Sequence, residues 1–240
     1  LTAPNPSMMT GPGTNTYLIG DRTSGIAVID PGPPNDEHIA RIVAAGEGAI
    51  RWILCTHTHS DHSPGAAPLK ALTGARVYGM PAPEHGNQDR TFAPDHVLEE
   101  GERLAVAGVT LRVLHTPGHA SNQVCYLLEA EKLLFTGDHL MQGSTVVINP
   151  PDGEMQTYVR QLERLYREDL AFLAPGHGFL MGEPHDAVLR IVRHRLQREN
   201  KVVKALRALG PATEATLLPV VYNDTSEKLH GMAARSLLAH

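Results

Sequence analysis

The chain has 240 residues, 42% hydrophobic and 20% charged, with a formal net charge of −5. That length supports a substantial core, and no apolar stretch reaches the roughly 18 residues a membrane span needs. Collagenous, disordered and transmembrane classes are therefore excluded, and the net charge by itself argues against a polyanionic ligand. Two cysteines, Cys55 and Cys125, cannot make a disulfide framework and read as reduced core residues. No secretory signal is visible, so a cytoplasmic location is expected; because the chain begins at Leu1, an organellar one stays open. The 14 histidines are the unusual feature, since histidine is the commonest metal ligand and the usual proton carrier near neutral pH.

In chain order, Asn15–Ile19 and Ile26–Asp30 read as a hairpin around Asp-Arg-Thr-Ser-Gly. Asn35–Ala45 reads as a helix, Arg51–Thr56 as a short apolar strand, and Pro64–Leu72 as a helix capped by Ser63. Strands are expected at Arg76–Gly79, Val109–Leu114, Gln123–Leu128 and Leu133–Thr136, then a helix over Met155–Glu168 and a strand over Ala171–Ala174. Strands alternating with a few helices predict a layered α/β domain over residues 1–183. From 184 to 240 the pattern turns helical: Pro184–Leu209, Thr213–Val221 and Ser226–Ala239, with Gly210-Pro211 between the first two. Charge divides along the same line. Residues 190–240 carry nine Lys and Arg against four Asp and Glu, whereas residues 1–189 carry 12 against 22. The tail has the element order of a winged-helix module without its wing strands. It ends inside a helix-like run, so the natural chain is expected to continue past His240.

The chemistry concentrates in His57-Thr58-His59-Ser60-Asp61-His62, which begins where the strand Arg51–Thr56 ends. In an extended segment residues two apart share a face, so His57 and His59 can reach one ion. The following turn can aim Asp61 and His62 at a second point. A solvated His-rich loop is the competing reading, but three imidazoles and a carboxylate within six residues suit a metal site better than packing. Three later strand ends repeat one layout of Gly-containing turn and possible ligand: Thr116-Pro117-Gly118-His119, Thr136-Gly137-Asp138 and Ala174-Pro175-Gly176-His177.

His57-x-His59-x-Asp61-His62, with His119, Asp138 and His177, resembles the ligand motif of the metallo-β-lactamase superfamily in order and approximate spacing. The resemblance implies an αβ/βα sandwich of two mixed sheets flanked by helices. It also implies a dinuclear site: His57, His59 and His119 on one metal, Asp61, His62 and His177 on the other, and Asp138 bridging. Gly13-Thr14-Asn15-Thr16-Tyr17-Leu18, Gly137-Asp138-His139-Leu140, Gly143-Ser144-Thr145-Val146, His194-Arg195 and Leu229-His230-x-Met232-Ala233 resemble the branch of β-lactamase-like protein two. In that branch a winged-helix-like tail follows the catalytic domain.

The resemblance implies a hydrolase in which a hydroxide held between two divalent metals attacks the substrate, with Asp61 and Asp138 catalytic. Imidazole and carboxylate donors favour zinc, with iron or manganese as alternatives. True β-lactamases lack an aspartate at the bridging position, so β-lactam hydrolysis is not expected. The resemblance to that branch implies an endoribonuclease, so single-stranded RNA is the first substrate reading; the basic tail fits it and the acidic body stands against it. A small ester, thioester or lactone is the alternative, and a nucleic-acid-binding regulator with a ligand-sensing metal domain is a third. No membrane partner is expected. The tail is expected to cover the active-site edge or to mediate a homodimer contact.

His139, Ser144 and Thr145 are candidates for substrate contact, the last two equally for loop structure, and Met8 and Met9 for an apolar flap or ordinary packing. His38 falls on an exposed helix pattern. His85, His96, His185, His194, His230 and His240 read as solvated or packing residues, and His115 as strand packing or support for the site. Asn15 and Thr16 read as hydrogen-bonding residues at a strand start. Gly11-Pro12-Gly13 lacks the ending and the helix of a phosphate loop.

Overall fold

The computed structural model describes residues 1–240. A hairpin, β1 (Tyr17–Asp21) and β2 (Gly25–Ile29), leads to helix α1 (Asp36–Ala45), β3 (Ile50–Leu54), α2 (Ala66–Thr73), β4 (Arg76–Gly79) and β5 (His96–Val97). The chain continues through β6 (Arg103–Val106), β7 (Val109–His115), β8 (Val124–Leu128), β9 (Leu133–Gly137), α3 (Met155–Leu165) and β10 (Phe172–Pro175). It ends in α4 (Pro184–Leu209), α5 (Glu214–Val221) and α6 (His230–Ala239).

The strands form two five-stranded sheets, ordered β1-β2-β3-β4-β5 and β10-β9-β8-β7-β6. Both are mixed. In the first, only β1–β2 is antiparallel; in the second, only β9–β10 is parallel. Side-chain alternation sorts each strand between two layers. Ala27 and Ile29 of β2 meet Val113, Val124 and Tyr126 of the other sheet between the sheets. Ile26 and Val28 point outward to Ile39 and Ile42 of α1 and Leu69 of α2. Cys125, Leu127 and Leu134 point the other way, to Tyr158, Leu162 and Leu165 of α3 and Val188 and Ile191 of α4. Such four-layer packing explains why β2 and β8 are apolar and buried along their whole length. Both cysteines are buried and free. No helix is long and apolar enough to cross a membrane.

Several boundaries differ from the sequence reading, each for a local reason. α2 begins at Ala66 rather than Pro64, and Ser63 is not its cap: the hydroxyl donates to Asp89 Oδ2 at 2.9 Å. β1 begins at Tyr17 because Asn15 and Thr16 bond elsewhere. The short strands β5 and β6 escape the hydrophobic pattern; β6 pairs with β7 across Ala107-Gly108, both at positive φ. A single 3-10 turn, Glu227–Leu229, precedes α6, which starts at His230 rather than Ser226. The α4 helix belongs to both parts of the molecule. Its first half packs on the sandwich, while Val202 and Ala205 in its second half join Leu217, Val221, Tyr222, Ala233 and Leu237 in a separate small core.

Candidate metal centre

Strand ends from both sheets meet at one edge of the sandwich and present the seven donors there. His57, His59, His119 and Asp138 form one group, and Asp61, His62 and His177 a second; within each, the ligand atoms lie within 4.8 Å of one another. Asp138 lies between the groups. Its Oδ1 faces His62 Nε2 at 3.4 Å and His177 Nε2 at 3.2 Å, and its Oδ2 faces His119 Nε2 at 3.5 Å. His59 Nδ1 faces both His57 Nε2 and His119 Nε2 at 3.0 Å. Asp61 Oδ2 lies 3.3 Å from His177 Nε2 and 3.5 Å from His62 Nε2.

Glycine is obligatory where these turns close. A Cβ on Gly176 would sit 2.8 Å from Asp138 Oδ1 and from His62 Cε1. Gly118 has φ of +137°, and a Cβ there would lie 2.4 Å from Tyr158 Cα. The strand-end layout is thus a way of bringing backbone close to the donors.

The opposite ring nitrogens are held from behind, which fixes how each imidazole faces the site. His119 Nδ1 donates to the Val147 carbonyl at 2.8 Å, and His177 Nδ1 approaches the Gly13 carbonyl at 3.3 Å. His62 Nδ1 lies 2.9 Å from Asp30 Oδ2. Asp30 is a residue that the sequence reading missed. It also accepts from the Thr56 amide and hydroxyl, both at 2.7 Å, and its φ of 50° is unusual for a non-glycine residue. Its signal was present: Asp30-Pro31-Gly32 ends β2 with the same Gly-turn layout as the ligand segments. Behind it, Thr16 donates to the Asp30 carbonyl at 2.7 Å, and His38 Nε2 lies 2.8 Å from the Thr16 hydroxyl. His38 is therefore fully buried, correcting the exposed position expected for it. Asn15 ties the His177 turn down, donating to the Gly178 carbonyl at 2.8 Å and the Pro175 carbonyl at 3.1 Å.

The donor set fits a cation. With Nδ1 of His62 and His119 engaged behind, their Nε2 lone pairs converge on other lone pairs. His62 Nε2 and Asp138 Oδ1 are buried without a hydrogen-bond partner, as donors awaiting a positive charge would be. The electrostatics divide the same way. Burial and the neighbouring imidazoles hold His57 well below its ordinary range and His59 down to about 3. Burial works against the charged form of His177, but Asp138 and Asp61 outweigh it and lift the imidazole to about 10. Burial likewise opposes ionisation of Asp138, yet His177 and His62 hold it well below the usual carboxylate range. For Asp61, His62 and His177 overcome burial to bring it down to about 2.

The centre opens on a cavity of about 650 Å³ whose far wall is the tail. Ser144 and Thr145 line it, as do Met8 and Met9, which are exposed. His139 does not. It is fully buried, its ring 4.9 Å from that of Tyr158, because the residue after a strand-end ligand turns back into the core. This overturns its expected substrate contact. His194, Arg195, Arg198 and Arg235 of the tail also reach the cavity.

Comparison with known proteins places this geometry in a class. Residues 9–177 match the metallo-β-lactamase superfamily, and residues 213–240 match the β-lactamase-associated winged helix domain. The chain belongs to the metallo-β-lactamase superfamily. A β-lactamase-like protein 2 homolog of Drosophila melanogaster is 30% identical over 98% of this chain and 83% of its own length. An atrochrysone carboxyl ACP thioesterase of Aspergillus chevalieri is 34% identical over 85% of this chain and 64% of its own length. This chain spans less than two thirds of the length of such fungal relatives. Among solved structures, a metallo-β-lactamase family protein from Thermus thermophilus shares the fold with a TM-score of 0.81 at 22% identity, covering 100% of this chain and 90% of that one.

Proposed function

We propose that the chain is a dinuclear metal-dependent hydrolase that cleaves a carboxylic thioester or ester. His57, His59 and His119 would hold one divalent ion, and Asp61, His62 and His177 the other, with Asp138 between them. The observation that carries this reading is the division of the Asp138 carboxylate, one oxygen toward each donor group. Histidine and carboxylate donors favour zinc. When bound, such ions supply Lewis acidity, polarising the substrate oxygen and acidifying a water. The chain's own residues do the rest. The Asp61 side chain is 25% exposed, lines the cavity and has Thr14 Oγ1 at 3.3 Å, so it is placed to orient an attacking water and take its proton. Asp30, His38 and Thr16 hold His62 in register from behind.

The cavity supports the acyl substrate. Recognition of single-stranded RNA generally uses open aromatic faces on which bases stack. Tyr222 is the one Phe, Tyr or Trp ring among the lining residues, and the Arg198 guanidinium covers it at 4.1 Å from the ring centroid. Met8, Met9 and Met232 offer an adaptable apolar lining for an acyl chain. The thioesterase name of the Aspergillus relative agrees with this. RNA phosphodiester cleavage is the second reading, favoured by the three arginines that the tail directs into the cavity.

The test is a parallel assay of the zinc-, iron- and manganese-loaded chain on an acyl thioester, a lactone, bis(p-nitrophenyl) phosphate and single-stranded RNA. Thioester turnover should exceed turnover of the phosphodiesters; the reverse order would transfer the assignment to RNA. Asp138→Ala should lose one metal per chain and at least about 10³ in kcat, the scale of metal stabilisation of developing charge. Retention of both metals with wild-type turnover would remove the bridging role.

A further inference from the structure

The cavity is electrically lopsided. Its carboxylates, Asp61, Asp138 and Asp152, all come from the sandwich, and its arginines all come from the tail. At the tail end Asp224 is the one carboxylate paired with them. Arg195 is 3% exposed, yet its neighbours are the Val146 carbonyl and the face of Tyr158, 5.4 Å from the guanidinium, with no carboxylate in reach. Its Nε and the Nδ1 of His194 are buried without partners. Arg198, 7% exposed, has one carboxylate, Asp224 at 2.8 Å, which it shares with Lys201. Arg235 on α6 is exposed and makes no ion pair or hydrogen bond. Burying a guanidinium costs free energy unless something negative compensates, and here the protein supplies too little. The resulting field is felt nearby: burial, together with Arg195, Arg198 and His194, holds His240 down to about 4.

From this we infer that the tail wall is an oxyanion subsite. His194, Arg195, Arg198 and Arg235 receive a carboxylate or phosphate group carried by the substrate, on the wall of the cavity that the tail supplies. The inference rests on the hydrolase reading for the identity of the ligand, an acyl thioester bearing a second, negatively charged group. That group is either the far end of a dicarboxylic acyl chain or the phosphate of a thiol carrier. The planar guanidinium suits both by paired N–H donors. The metals would then act on one end of the substrate while the tail fixes the other, so the length between the two charges becomes a selection criterion.

The experiment uses the full metal-loaded chain and three thioesters: butyryl and succinyl esters of a neutral thiol, and the butyryl ester of 4′-phosphopantetheine. The wild type should prefer one of the two charged substrates over the neutral one by roughly tenfold or more in kcat/KM, as a charge-assisted contact provides. Which one it prefers identifies the source of the anion. Arg235→Ala and His194→Gln should each erode that ratio, Arg235→Lys should keep part of it, and Arg235→Glu should invert it. Equal kcat/KM for all three substrates, or a preference that survives Arg235→Glu, would overturn the subsite. If no thioester is hydrolysed, the hydrolase assignment fails separately, and the subsite is read by calorimetry with succinate and inorganic phosphate. Saturable binding that weakens at least about tenfold in Arg235→Glu supports it; no saturable binding, or equal binding in the variant, refutes it.

Discussion

The sandwich closes over core clusters of 17, 15 and 12 buried residues, whereas the tail closes over seven. The first can bury a constellation of charged and polar donors because apolar layers on both faces of each sheet support the strand ends that carry them. The second has few contacts to spare, yet it carries the molecule's excess positive charge and sets that charge against an acidic partner. The division of labour follows: the thick region holds chemistry in place, and the thin region shapes what can reach it. A small core suffices for a wall, because a wall needs position and charge rather than donors held to a fraction of an ångström.

Paired core truncations probe that contrast most strongly. Leu162→Ala in α3, where the side chain is fully buried, should cost about 2–5 kcal/mol of global stability in urea unfolding. Leu237→Ala in α6 should instead raise amide exchange across α5 and α6 while leaving exchange in β2 and β8 protected. A single unfolding transition displaced equally by both substitutions would mean that the tail is an integral part of the sandwich. Next in size, Asp30→Asn should weaken metal binding by roughly 10–100-fold, the usual cost of losing a group that orients a ligand. Competition against a chromophoric chelator reads this directly, and unchanged affinity would show that His62 needs no such support.

The smallest expected effect concerns pH. Burial, with Arg41 adding to it, lowers His38 from 6.5 to about 4, so the folded protein keeps this imidazole neutral. As pH falls from 6.5 toward 4 the unfolded chain takes up a proton that the folded chain refuses, and stability is lost across that window. In His38→Gln this component is absent. The stability difference between wild type and variant should therefore shrink as pH falls through the window, measured by denaturant unfolding at several pH values. A constant difference would place His38 outside the linkage.

The seven side chains expected as donors, from His57 to His177, do converge at one edge of the sandwich, and their segments could be picked out because the layout of each is local: a strand, a turn, a side chain able to bind a metal. The order of strands and helices and a layered α/β domain were legible from periodicity, whereas the sandwich of two mixed sheets followed from the family resemblance. Asp30 was not, since its role exists only when β2 and β3 pair in parallel and bring it beside Thr56 and His62, 26 and 32 residues further along. His38 was misread because helix periodicity describes a face without saying what covers it; here the N-terminal segment through Thr16 does. His139 was misread because adjacency to Asp138 in sequence was taken for adjacency in the site, while a strand end sends consecutive side chains to opposite sides. The arginines of the tail read as a charge excess, and only tertiary packing shows that three of them line the cavity.

The 26-residue helix α4 has mechanical consequences. At 1.5 Å per residue it spans about 39 Å, and it is rooted at one end in the sandwich and at the other in the tail. No loop interrupts it, so the tail cannot swing away as a hinged door would without bending or fraying the helix itself. Arg195 and Arg198 are consequently carried on the same rigid element that packs against the sandwich. The other segments that line the cavity, Ser7–Thr10 and Ser144–Val147, lie in no helix and carry no such strut.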